Sequence, residues 1–306
     1  MTDFDNAELC GAPAAPAALT GFYADPALEV FDGRYYLYPT TDGVEGWAAT
    51  SFKVFSSLDL RTWIDHGEIF SVPHATAWAS GFAWAPAISR RNGKYYLYFT
   101  AESNIGVAVA DSPTGPFVDS GRPLVGSEQF AGRAIDPSVF TDVDGAVYLY
   151  WGNTIAHGVR LNDDMVSFDA ARVVSWTPTN FREAAWVHER GGIYYLSWSE
   201  NDTREEDYRV SYATSTGPLG PWTDRGVLLE KDPHRGIYAT GHHSILRIPN
   251  SDDWVIAYHR FAIPDGSGYR REVVIDRLYF AKDGLLTPVV ASSRQVAIRL
   301  RDASIT

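Results

Sequence analysis

The sequence predicts an all-β fold, a five-bladed β-propeller of four-stranded antiparallel blades, and three observations carry that expectation. A polar turn followed by an aromatic, alternating run occurs five times: DGRYYLYPT (32–40), NGKYYLYFT (92–100), DGAVYLYWG (144–152), GGIYYLSWS (191–199) and SDDWVIAYH (251–259). The turn residues Gly33, Gly93, Gly145, Gly192 and Asp253 stand 60, 52, 47 and 61 residues apart, too far for a short-repeat solenoid and right for propeller blades. No linker-like stretch interrupts the series, so residues 1–306 read as a single domain with 1–20 as an N-terminal extension.

Each phrase places successive side chains on opposite faces, as a half-buried strand requires, and its DG, NG or GG start is hairpin-turn chemistry. It therefore reads as the hairpin in the middle of a blade. The intervening pieces SSLDLRTWIDHGEIF, ADSPTGPFVDSGRPLV, NDDMVSFDAARVV, ATSTGPLGPWTDRGVLL and FAKDGLLTPVV supply the outer strands that lead to the next blade.

Composition excludes several functions. A net charge of −12 lacks the basic face that nucleic acid or an anionic membrane calls for. The single cysteine, Cys10, rules out an internal disulfide and a thiolate metal cluster within one chain. The start MTDFDNAELCGAPAAPAAL has acids where a signal peptide needs a basic region, and no run of about 18 apolar residues follows. The expectation is a cytoplasmic protein, or a secreted one if a leader has been removed. Ten Trp, 17 Tyr and 15 Phe can pack between blades and also offer platforms for sugar rings.

Eight to eleven residues before each turn, where the innermost strand should follow the central axis, stand Asp25, Trp84, Asp136, Glu183 and His242. Equivalent positions of a closed ring converge on its axis. Asp25-Pro26 and Asp136-Pro137 could be turn chemistry alone, and Glu183 half of an ion pair with Arg182. The shared register argues instead for a site in which three carboxylates meet a tryptophan and a histidine.

With these motifs the chain resembles glycoside hydrolase family 43, five-bladed propellers that invert configuration at the anomeric carbon and act mostly on arabinofuranosides and xylosides. The resemblance spans about residues 20–290 and rests on YADP, WAP, SPTGPF, IDPSVFTDVDGAVYLYWG, Glu183 before GGIYYLSWS, GHHS and RREVVIDRLYF, in that order. It implies that Asp25 is the general base, Asp136 the carboxylate that tunes the acid, and Glu183 the general acid. It also implies that His242, with His243 as competitor, supports a hydrated calcium or other ion in the channel, and that Arg271 contacts sugar hydroxyls, unless it pairs with Glu272 or Asp276. No organic cofactor is expected. Phe82 and Trp84 would wall the sugar pocket, with Trp186, Tyr23 and His157 as further lining.

Two departures refine the expectation. Many members read Glu-Gly-Pro at the acid, where this chain has Glu183-Ala184-Ala185, which alters the wall beside it. The β-sandwich that closes the pocket of typical β-xylosidases would find no room before Thr306. The second departure, with the expected cytoplasmic location, favours an exo-acting α-L-arabinofuranosidase working on oligosaccharides, ahead of β-xylosidase or exo-β-galactosidase activity. The related retaining fructosidases and a non-catalytic sugar-binding propeller are the remaining readings. Segments 201–209 and 264–271 are expected to form rim loops.

Overall fold

The fold is that of a computed structural model describing residues 12–300; Cys10, most of the expected extension and Thr306 lie outside the described residues. The chain is an all-β, five-bladed propeller. Blade I comprises β1 (Tyr23–Phe31), β2 (Arg34–Thr41), β3 (Ser51–Ser57) and β4 (Trp63–Ser71), and blade II comprises β5 (Trp84–Arg91), β6 (Lys94–Ala101), β7 (Asn104–Ala110) and β8 (Val118–Asp119). Blade III is β9 (Ser138–Thr141), β10 (Val147–Trp151), β11 (Ala156–Arg160) and β12 (Val174–Trp176). Blade IV is β13 (Phe181–Arg190), β14 (Ile193–Glu200), β15 (Arg209–Ser215) and β16 (Thr223–Leu229), and blade V is β17 (Gly241–Arg247), β18 (Trp254–Phe261) and β19 (Arg271–Leu278). Each blade is an antiparallel meander in chain order, and the first strands touch in a closed cycle, β1 to β5, β9, β13, β17 and back to β1.

The fifth blade departs from the expected four strands. FAKDGLLTPVV forms only an isolated bridge between Phe280 and Leu286, because its backbone is drawn to blade IV: Val289 N–H donates to Leu228 O, and Gly284 O accepts from Tyr195 Oη. The outer edge of β19 receives the N-terminal segment instead, with Ala18 N–H donating to Val273 O at 2.8 Å and Gln295 Nε2 donating to Ala17 O at 2.7 Å. That pairing joins the two ends of the described chain and closes the ring.

Packing explains the aromatic phrase. Each of the five buried apolar clusters draws on two neighbouring blades; the one between blades I and II, for example, joins Phe52, Phe70 and Ile88 with Phe99. The tyrosine five residues past the turn glycine reaches across the interface to a carbonyl of the following blade: Tyr38 to Pro113, Tyr98 to Met165 and Tyr150 to Pro218, at 2.6–2.7 Å. The ring contributes apolar burial, about 2 kcal/mol for a side chain of this size, and the hydroxyl keeps its hydrogen bond, so tyrosine serves where phenylalanine would leave the carbonyl unpaired.

Candidate active site

At one end of the axis the chain makes the same unusual turn in every blade. Asp25, Ala85, Asp136, Ala184 and His242 all take a left-handed backbone, with φ of 50°, 46°, 57°, 60° and 41°. This conformation is costly for residues with a Cβ. In β1, β5, β13 and β17 it coincides with a register shift, a bulge that turns the strand end across the channel. In four blades the amide of the turned residue donates to a side chain of the preceding blade. Ala85 N–H meets Thr40 Oγ1 at 2.7 Å, Asp136 N–H meets Thr100 Oγ1 at 3.0 Å, His242 N–H meets Ser199 Oγ at 2.9 Å, and Asp25 N–H meets His259 Nδ1 at 3.3 Å. The corresponding place before blade IV is Gly152, which has no side chain, and Ala184 N–H turns to the Asp136 carboxylate.

This corrects the register read from the sequence. Asp25, Asp136 and His242 are equivalent, but Trp84 and Glu183 each stand one residue before the equivalent position, which Ala85 and Ala184 occupy. The bulge makes the difference: it sends the preceding side chain toward the mouth, so Trp84 and Glu183 both line the cavity while Ala184 packs beneath it. The cavity holds about 290 Å³ and brings together Asp25, Trp84, Asp136, Glu183, His242 and Arg271.

The carboxylates have contrasting surroundings. Asp25 Oδ1 lies 3.2 Å from Arg271 Nη1, 3.2 Å from His242 Nδ1 and 3.1 Å from His259 Nδ1. Burial opposes its charge, but His242, Arg271 and His259 together hold it well below the usual carboxylate range. Burial first, then the charges of Glu183 and Asp25, push Asp136 well above that range. Burial also raises Glu183, against hydrogen bonds from Tyr208 Oη (3.0 Å) and Asn153 Nδ2 (2.8 Å) and the Arg182 charge at 3.9 Å. Asp136 and Glu183 compete for a proton that solvated carboxyls would have released. The arrangement can therefore keep one carboxylate charged and another protonated within a single cavity.

Arg271 is buried and pairs with neither Glu272 nor Asp276; Nε and Nη2 grip Asp42 at 2.9 and 3.3 Å, leaving Nη1 for Asp25 and Thr203. Of the other expected lining residues, Phe82 is exposed and packs edge-on against Trp84 without entering the cavity. Trp186, His157 and Tyr23 lie outside it. Trp186 is in the core between blades IV and V, His157 is held by Ser175 Oγ and Ala131 O and stacked on Trp151, and Tyr23 meets Phe55 edge-on. Tyr23 and Trp186 face blade interfaces, turned there by strand alternation on either side of the bulge, whereas His157 is on β11, where no bulge intervenes. The loop 201–209 does form rim, supplying Asp202, Thr203 and Arg204, while in 264–271 Gly268 O accepts from Trp47 Nε1 and the Tyr269 ring packs on Trp47.

Sequence reasoning missed Trp47, Asp42, Asn153, Tyr208 and His259. The fifth repeat did carry a signal, since His259 ends SDDWVIAYH where Thr40, Thr100 and Ser199 end theirs.

Of the two histidines, His242 faces the cavity, whereas His243 Nε2 is bonded to Ser197 Oγ at 2.6 Å. Among the described residues no cluster of three or more His, Cys, Asp or Glu is placed to hold a metal. The void of about 10 Å³ below the carboxylates is bordered by Trp186 and His243, whose Nε1 and Nδ1 are buried without partners. An indole N–H calls for an acceptor such as water, so Trp186 and His243 would meet an ion only through water, and Asp25, Asp136 and His242, which also border the void, are the residues that would face a hydrated calcium.

A propeller whose axis ends in a small cavity holding one charged and two proton-sharing carboxyls is built as a glycoside hydrolase. Glycosyl hydrolases family 43 matches residues 16–286, and the chain belongs to that family. It is 34% identical to a β-D-galactofuranosidase of Aspergillus niger, over 88% of this chain and 83% of the other. It also resembles the structure of an α-L-arabinofuranosidase from Clostridium thermocellum, with 32% identity, a TM-score of 0.75 and coverage of 89% of this chain and 95% of that one. A β-xylosidase/α-arabinofuranosidase from a compost metagenome, in complex with xylotriose in a calcium-free form, aligns with 29% identity and a TM-score of 0.78 over 91% of this chain and 98% of that one.

Proposed function

We propose that this enzyme is an exo-acting α-L-arabinofuranosidase that removes arabinofuranosyl units from plant-type oligosaccharides with inversion. Asp25 acts as general base on water, Glu183 protonates the leaving oxygen, and Asp136 shares and tunes the acid's proton. The observation that carries this reading is the division of charge: three cationic or polar partners hold Asp25 ionised, while burial and mutual repulsion keep a proton on the Asp136–Glu183 pair. A single displacement needs one carboxylate to take a proton and another carboxyl to give one in the same encounter.

The cavity's 290 Å³ sits at the lower end of small-ligand pockets, which suits one sugar and the start of its leaving group rather than a cleft for a long chain. Trp84, fixed by its Nε1 donating to Trp47 O at 2.7 Å, presents an apolar wall for the sugar ring. A second reading, β-D-galactofuranosidase, is favoured by the Aspergillus niger relative's name. The two sugars share ring configuration and differ by one exocyclic carbon, so the same base and acid would serve both.

The test is hydrolysis of the 4-nitrophenyl α-L-arabinofuranoside, β-D-galactofuranoside and β-D-xylopyranoside, with Asp25→Ala as blank and the anomer of the first product read by NMR. Arabinofuranoside preference with an inverted product supports the proposal. Preference for another glycoside replaces the sugar, and a retained anomer overturns the mechanism.

A further inference from the structure

Two buried rings at the floor of the site, one beside each reacting carboxyl, also touch each other. Tyr208 and His259 are fully buried, and their rings lie parallel, 5.5 Å between centroids and 5° between planes. At one end of this stack Tyr208 Oη reaches Glu183 Oε1 at 3.0 Å; at the other, His259 Nδ1 lies 3.1 Å from Asp25 Oδ1. We infer that Tyr208 is a positioning residue that orients Glu183 as proton donor, and that its stack on His259 ties the acid to the base as one unit. The inference rests on the acid and base roles proposed for Glu183 and Asp25.

The seat for Tyr208 is specific. A Cβ at Gly241 would fall 2.2 Å from the Tyr208 ring, so the residue before His242 must be glycine for the phenol to reach Glu183. The segment that carries it is anchored by Tyr208 N–H to Glu205 O, Ala239 N–H to Glu206 O and Asn201 Nδ2 to Asp207 O. The same segment presents Asp202, Thr203 and Arg204 to the cavity, so rim and acid holder are one loop.

The direction of the hydrogen bond follows from the surroundings. Burial, together with the charge of Glu183, raises the Tyr208 phenol well above its ordinary range, so it stays protonated and donates to the carboxylate. His259 is lowered by burial to about 4 and is neutral. Its Nδ1 faces both the Asp25 amide N–H at 3.3 Å and the Asp25 carboxylate at 3.1 Å, and its Nε2 faces Thr203 Oγ1 at 3.3 Å. The charged or titratable groups facing Glu183 are Arg182 on its own strand, Asp136 from the segment before β9, Asp25 from β1 and Tyr208 itself. Of these, Tyr208 alone is a neutral donor whose strength can be varied without changing a charge.

A donor to the ionised form favours ionisation, so its removal leaves Glu183 protonated to higher pH. Tyr208→Phe, which keeps the ring and the stack, is expected to move the alkaline limb of kcat/KM upward by about half a pH unit to one unit. It should lower kcat about tenfold for an unactivated disaccharide and less than about twofold for an aryl glycoside, because acid catalysis matters only to the poor leaving group. Site-specific 2,3-difluorotyrosine at position 208, a stronger donor of similar size, should move the same limb down. Tyr208→Leu, which removes the stack, should also shift the acid limb set by Asp25, whereas Tyr208→Phe should leave that limb in place.

Thermal melts confirm that each variant is folded, and Glu183→Ala runs alongside. An alkaline limb unmoved in both the Phe and difluorotyrosine proteins overturns the role of Tyr208. A Leu variant that shifts only the alkaline limb overturns the link to Asp25. If Glu183→Ala loses equally on good and poor leaving groups, the acid assignment fails, and the inference with it.

Discussion

The Asp25 side and the Asp136–Glu183 side of the cavity are made from the same structural device and use it to opposite ends. Asp25 and Asp136 occupy equivalent left-handed turns in blades I and III, both buried and both followed by proline. Around Asp25 the neighbours are Arg271, His242 and His259, and the carboxylate is driven below its usual range. Around Asp136 burial and the charges of Glu183 and Asp25 oppose ionisation, with Arg133 acting against them, and the carboxyl is driven above it. Fold position delivers a carboxyl to the axis, and the adjoining blade decides whether it is charged.

The largest expected effect removes the charged side outright. Asp25→Asn should reduce kcat by about a thousandfold or more on good and poor leaving groups alike, since the water needs its base whatever departs. Loss restricted to one class of substrate would reverse the two sides of the comparison.

Removing the cation that enforces the contrast is the next step. Arg271→Gln leaves Asp25 with its histidines but without the guanidinium at 3.2 Å. The Asp25 pKa should rise, moving the acid limb of kcat/KM upward by about one pH unit. A pH–rate profile that keeps its acid limb would show that the histidines alone hold the charge.

Acid stability sharpens the same contrast. Burial lowers His188 and His243 to about 3 and His259 to about 4, from an ordinary 6.5. These groups bind protons in the unfolded chain at a pH where the fold refuses them, so unfolding takes up protons and stability falls as pH drops from about 6.5 toward 3. Asp25 adds to the loss as pH falls through the aspartate range, because its folded pKa is the lower one. The raised Glu29, Asp136 and Glu183 carboxyls act the other way, because the fold keeps their protons where the unfolded chain releases them. The histidine part is read by difference: melting temperature should fall less from pH 7 to pH 4 in His188→Gln than in the parent, and an equal change would mean that His188 is hydrated.

The smallest effect lies on the acid side. Arg182, partly exposed, sits 3.9 Å from Glu183 and is shared with Asp202 at 3.1 Å. Arg182→Gln should raise the alkaline limb by only a few tenths of a pH unit, because solvent and Asp202 screen the charge. A shift larger than that of Tyr208→Phe would move control of the acid from the phenol to the guanidinium.

The five aromatic phrases were legible as hairpins because strand alternation and turn glycines are local properties, and their spacing exposed the five blades. Asp25, Asp136, His242 and Arg271 were legible as cavity residues, from the repeat register and the family resemblance. Trp186, His157 and Tyr23 were not separable from lining residues by type, since an aromatic ring suits a blade interface as well as a sugar wall. The bulge that moves Trp84 and Glu183 one position before the ring of left-handed residues leaves no mark on composition or spacing.

The sequence by itself determined the propeller, the number of blades and the carboxylates at its axis, because these follow from short-range periodicity repeated along the chain. Only the tertiary structure decided which charges surround each carboxyl, and which rings lie between Asp25 and Glu183. Asp42, Tyr208 and His259 reach the site from strand ends and loops up to 234 residues from Asp25 in the chain. Electrostatic control acts through space at a few ångströms, and such neighbours exist only once the ring has closed.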